Sequence, residues 1–172
     1  MGGGQDDIVD YYTNHYREDL RFATQANNQL EWLRTNELLT ALLPPRARVL
    51  DVGGGLGSYA RALATAGHRV RLLDLTPAHV TAARTGEPPI DADVADARAL
   101  PEPDGTFDAT LLLGPLYHLL ERNDRVTALS EAARVTRAGG LVLAAAISRF
   151  AGPLQFAAWG KLTGPGSSVP VC

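Results

Sequence analysis

Apolar positions along the chain change their period several times, and each change marks an element. From Ile8 to Leu43 they recur at helical spacing, as Leu30 and Leu33 and then Leu38, Ala41 and Leu42, with charged residues between them, until Pro44 and Pro45 end the pattern. Two helices ahead of a sheet are expected. Arg48 to Val52 is a short apolar run followed at once by glycines, and Ser58 to Gly67 is a helical stretch stopped by its glycine. Arg69 to Leu75 repeats the strand signal. Thr76 to Arg84 reads as a helix with Thr76 at its cap and Pro77 in its first position, and Ile90 to Asp96 reads as a weaker third strand. The unbroken apolar run from Phe107 to Leu113 suits a parallel strand covered on both faces. Arg122 to Thr136 sets Val126, Leu129, Ala133 and Thr136 along one side of a helix, which Gly139-Gly140 stops before a fifth strand, Leu141 to Ile147. Ser148 to Gly160 starts a short helix, and Lys161 to Cys172 is rich in Gly, Pro and Ser.

Strands alternating with helices imply right-handed crossovers and a mostly parallel sheet, with ligands at the carboxyl ends of the strands. The expected class is α/β, a Rossmann-like three-layer α/β/α fold with strand order 3-2-1-4-5. Residues 1–7 form a mobile tail, 8–45 the amino-terminal helices, 46–150 the ligand-binding core, and 151–172 a short helix with an irregular tail.

Composition narrows the function. With 172 residues, 45% hydrophobic and 20% charged, the chain has enough apolar material for one folded domain. A net charge of -3 and a pI near 5.8 give no electrostatic ground for a nucleic-acid partner. One cysteine, Cys172, allows no internal disulfide, and no apolar run reaches membrane-spanning length, so a cytoplasmic location without a membrane is expected.

The candidate chemistry centres on Asp51 to Gly57, between the first strand and its helix. Glycines there permit a sharp turn and let backbone amides approach a ligand. A dinucleotide-binding turn of the form Gly-x-Gly-x-x-Gly would use Gly53 and Gly55, but its third place falls on Ser58. Asp51 either caps the turn or meets a ligand's ammonium group. Asp74, closing the second strand, is placed to accept the protons of both ribose hydroxyls of an adenosine ligand.

The spacing Gly53, Gly55, Gly57 after Asp51 resembles motif I of the class I S-adenosylmethionine-dependent methyltransferases. Asp96-Ala97-Arg98-Ala99-Leu100-Pro101 and Asp104 to Asp108 are similar to the pattern joining that family's motifs II and IV, with Ala95 where the family commonly has glycine. Leu111 to Arg125 and Glu131 to Phe150 resemble the small-molecule branch that includes the ubiquinone and menaquinone biosynthesis enzymes. The resemblance covers roughly Leu30 to Phe150. It implies S-adenosyl-L-methionine as cofactor, a small-molecule methyl acceptor, and no metal requirement. It gives Asp96 a contact to the adenine amino group, with Ala97 beside it, and places Tyr12 where related enzymes close over the cofactor.

The family's sheet continues as 3-2-1-4-5-7-6, and its final two strands are not found here, which implies a carboxyl-terminal truncation and an exposed strand 141–147 able to drive self-association. His118 follows the fourth strand and is the candidate general base, against a packed helix-start role. His68 and His79 are expected at the surface, and Asp104 and Asp108 in structural roles. A chain that binds the donor without turnover, or an NAD-dependent oxidoreductase, are the alternatives; Ser58 and the helices preceding the first strand weigh against the latter.

Overall fold

The computed structural model describes residues 26–158. The expected tail, the first amino-terminal helix with Tyr12, and the irregular stretch ending at Cys172 lie outside the described residues.

Helix α1 spans Ala26–Leu42, β1 Arg48–Val52, α2 Ser58–Thr65, β2 Arg69–Asp74, α3 Pro77–Thr85, β3 Asp91–Val94, β4 Phe107–Leu112, α4 Arg122–Val135, β5 Thr136–Ala144 and α5 Ala151–Ala158. A single 3-10 turn, Pro115–Tyr117, follows β4. The five strands form one sheet in the order β3-β2-β1-β4-β5, and every pairing is parallel. The expected class and order are both observed. Parallel strands need coverage on each face. On one side Val49, Ala109 and Leu111 pack with Leu39 of α1, with Leu43 just past its end, and with Tyr59 and Leu63 of α2. Leu72 and Ala92 extend that layer against Ala60, Val80 and Ala83 of α2 and α3. On the other side Leu50, Val52, Leu73 and Leu112 meet Ala132 and Val135 of α4.

Four expectations are corrected. On α1 the leucines at 30, 33, 38 and 42 face outward, while Leu39 and Trp32, with Leu43 just past the helix end, face the core. Trp32 stacks on Tyr59 with centroids 4.9 Å apart, and this ring pair sets the helix rotation. On α4 the buried residues are Ala128, Ala132 and Val135, whereas Val126 and Leu129 are exposed. Small side chains at i and i+4 let that helix sit close to the sheet, which the larger ones would prevent. Finally, Gly139-Gly140 does not stop a helix: α4 ends at Val135 and β5 begins at Thr136. Phe107 pairs with Thr136 and Ala109 with Leu141, so the glycines lie in a bulge inside β5. A Cβ at Gly140 would come within 2.7 Å of the Asp108 carbonyl oxygen. The strand ends at Ala144 rather than Ile147, with the Ala145 N–H donating to the Leu112 carbonyl.

The inward rotation of α1 is testable by urea denaturation. Leu39→Ala should cost about 2 to 5 kcal/mol, as for other buried leucines, and Leu33→Ala should change stability by no more than about 0.5 kcal/mol.

Candidate functional site

The carboxyl ends of β1, β2 and β4 converge beside a cleft enclosing about 730 Å³, its open mouth included. Its floor is the turn after β1. Gly53 holds φ +69° and Gly55 φ +57°, left-handed values that favour glycine. The Gly53 N–H donates to the Leu73 carbonyl at 2.6 Å, tying the turn to β2. A Cβ at Gly53 would lie 2.6 Å from Cγ of Pro115, so the turn and the segment after β4 are in close contact. Gly57 begins α2 and does not line the cleft.

Asp74, at the end of β2, is buried and receives bonds from two directions. The Gly55 N–H donates to its Oδ2 at 2.9 Å, and the Thr76 N–H to its Oδ1 at 2.8 Å. Thr76 occupies the expected cap position of α3 but its side chain makes no capping bond, and its own N–H is the one that donates to Asp74. Nδ1 of His79 lies 3.2 Å from the same Oδ1.

Asp51 lies beneath the turn rather than in the cleft wall. Its Oδ2 is buried without a hydrogen-bond partner, and a Cβ on Gly54 would come within 2.6 Å of it. Burial, reinforced by the Asp74 charge, pushes its carboxyl up to about 7.

Asp96 and Ala97 form the adjacent wall. The Arg98 N–H closes an Asx turn onto Asp96 Oδ1 at 2.9 Å, and the Arg98 guanidinium pairs with Asp96 Oδ2 and with Asp124 Oδ2, each at 2.7 Å. His118 and Tyr117 also line the cleft, their rings 4.9 Å apart, and the His118 N–H donates to the Pro115 carbonyl.

Gly53, Gly55, Asp74, Asp96, Ala97 and His118 are thus gathered around one cleft, with Asp51 and Gly57 immediately behind it. Asp104 and Asp108 stand outside it, paired with Arg134 and Arg137. His79 corrects the expectation of a surface residue: it is 6% exposed and lines the cleft. The signal was available in helical phase, because His79 shares the inward face of α3 with Val80 and Ala83.

Sheet order, glycine turn and cleft position define a Rossmann-like α/β domain. The family model described as a methyltransferase domain matches residues 49–140, and the chain belongs to that family. It is 36% identical over 104 residues to a demethylmenaquinone methyltransferase of Renibacterium salmoninarum, covering 60% of this chain and 43% of the relative. A 27-O-demethylrifamycin SV methyltransferase of Amycolatopsis mediterranei is 32% identical, covering 81% of this chain and 55% of the relative. Among solved structures, a TehB-like SAM-dependent methyltransferase from Corynebacterium glutamicum superposes with a TM-score of 0.55 at 26% identity, over 67% of this chain and 70% of that one. The chain spans about half the length of these two curated relatives.

Asp51 gives a pH prediction for the ligand-free protein. Its folded value of about 7 exceeds the ordinary 3.8, so between those limits the folded state holds a proton that the unfolded state has lost. The stabilising contribution is complete at the acid end and disappears as pH rises through about 7. Asp51→Asn keeps the shape and removes the titration. Melting curves from about pH 5 to 8 should therefore show wild type losing stability relative to Asp51→Asn as pH rises.

Proposed function

We propose that this chain binds S-adenosyl-L-methionine in the cleft and transfers its methyl group to a small-molecule acceptor. The observation that carries the reading is the Gly55–Asp74 hydrogen bond, which joins the glycine turn to the acid of β2 at one binding surface. The residues fit the cofactor. Gly53 and Gly55 keep the floor free of side chains, Asp74 is placed for the ribose, and Asp96 with Ala97 for the adenine. Asp74 puts a carboxylate in the cleft wall that suits a cationic ligand, and Asp51, assigned to the cofactor's ammonium group, lies just behind the glycine turn with Oδ2 unpartnered.

When bound, the cofactor supplies an activated methyl group on a sulfonium that is itself a good leaving group. The chain's own contribution is to orient donor and acceptor and exclude water, an effect that can supply ~7 to 11 kcal/mol of barrier. His118, in the cleft lining, is assigned to receive the acceptor's proton. The names of the two curated relatives, which refer to demethylmenaquinone and 27-O-demethylrifamycin SV, support a small-molecule acceptor. The pI near 5.8 supports a reading without nucleic acid. Among the described residues no helix is long and apolar enough to cross a membrane, and a cytoplasmic location is part of the same reading.

Self-association along the outer edge of β5 is also proposed. Among the described strands β5 pairs with β4 alone, and Val142 is 40% exposed.

Three measurements test these readings. Calorimetry should show binding of S-adenosylmethionine and S-adenosylhomocysteine in preference to NAD, and Asp74→Ala should weaken S-adenosylhomocysteine by about tenfold or more. Preference for NAD, or unchanged affinity in Asp74→Ala, would overturn the assignment, and methyl transfer to an acceptor panel then tests turnover. In light scattering Val142→Lys should shift the protein toward monomer, whereas a wild type that is already monomeric at high concentration would remove the edge from consideration.

A further inference from the structure

The turn after β1 is mostly glycine, so hydrogen bonds rather than side-chain bulk hold its shape. Three of those bonds come from its own N–H groups: Gly53 donates to the Leu73 carbonyl, Gly55 to Asp74 Oδ2 and Gly57 to the Gly54 carbonyl. On the carbonyl side, Arg61 of α2 holds two neighbouring groups. Its backbone N–H donates to the Gly57 carbonyl at 2.9 Å, and Nη1 of its guanidinium donates to the Leu56 carbonyl. The Leu56–Gly57 peptide is therefore pinned at both ends, its oxygen by Arg61 and its N–H by Gly54. From the same guanidinium, Nη2 donates to the Ala82 carbonyl at 2.8 Å and to the Ala83 carbonyl at 3.4 Å, in the last turn of α3.

A cation at the end of a helix satisfies its last carbonyls. That task needs only Ala82 and Ala83, and it leaves the bond to Leu56 unexplained. Nor does stability alone account for the position, because Nε of Arg61 is buried with no partner among the described residues, and an unpaired buried donor is unfavourable. We propose that Arg61 is a positioning residue of the cofactor turn, locking the Leu56–Gly57 peptide to α3 so that the turn has its binding shape before ligand arrives. The inference rests on the donor-site reading above and goes beyond it, since Arg61 does not itself line the cleft. A turn already in shape spares the ligand the work of ordering it. Gly86 makes the arrangement possible: a Cβ there would lie 2.0 Å from Nη2 of Arg61, although its φ of -77° is open to any residue.

Calorimetry with S-adenosylhomocysteine tests this. Arg61→Ala should bind it about tenfold or more weakly than wild type. Gly86→Ala keeps Arg61 but displaces its guanidinium, and should weaken the ligand to a similar extent. The double variant should bind no more weakly than Arg61→Ala alone, because both changes remove the same bond. Circular dichroism establishes that each variant is folded, and affinity is then read on folded molecules, where a role confined to stability leaves it unchanged. Wild-type affinity in folded Arg61→Ala would overturn the inference. So would losses that add in the double variant or, if Arg61→Ala does not fold, wild-type affinity in Gly86→Ala. A wild type that does not bind S-adenosylhomocysteine would instead overturn the donor-site reading on which the inference rests.

Discussion

The site depends on how the Asp74 carboxylate is held. One oxygen takes the Gly55 N–H from the turn after β1, and the other takes the Thr76 N–H at the entrance to α3. A single side chain thereby ties together two strand ends and a helix start, in a buried setting where each bond would be costly to lose. Asp51 lies close by with an oxygen unpartnered, so two acids share a low-dielectric space. Burial first, and the Asp74 charge second, disfavour a charge on Asp51, so below about pH 7 the free protein keeps a proton there. A cationic ligand offsets the same penalty differently, by supplying the opposite charge.

Arginines make the links outside this centre. Arg61 donates to the Leu56 carbonyl in the glycine turn and to the Ala82 and Ala83 carbonyls in α3. A Cβ on Gly86 would collide with its guanidinium, so the space beside α3 is occupied by this clamp. Arg98 joins Asp96 to Asp124 in the first turn of α4, and Arg125 of the same helix donates to the Leu119 and Leu120 carbonyls that follow His118. The wall carrying Asp96 and the wall carrying His118 are therefore braced against the same helix. Forked donors suit that task because one guanidinium reaches several carbonyls or carboxylates at once.

Much of this was legible in the sequence where the cause is local. The β1 run, the glycines after it and the acid closing β2 are adjacent choices of residue that dictate backbone shape directly, and all were found in place. What could not be read depends on partners distant in the chain. The rotation of α1 is set by Trp32 against Tyr59, and the inward face of α4 by how near alanines let it approach the sheet. Gly139-Gly140 looked like a helix stop because glycine serves that purpose so often. It lies instead in a bulge, because Thr136 already belongs to β5 and bonds through its hydroxyl to Thr110 and the Ala132 carbonyl. His79 escaped notice because a histidine beside a helix start is usually solvated, and only the end of β2 supplies the carboxylate that makes its burial tolerable.

Gly53 meets Pro115 with no room for so much as a methyl group between them. The turn assigned to the donor and the segment assigned to the acceptor thus share one wall, one atom layer thick. A change of residue at 115 that reshaped the acceptor side would press on the donor turn at once. Tyr117, His118 and Leu119 line the same cleft further along the segment, where a change of side chain need not pass through Pro115 to alter the wall.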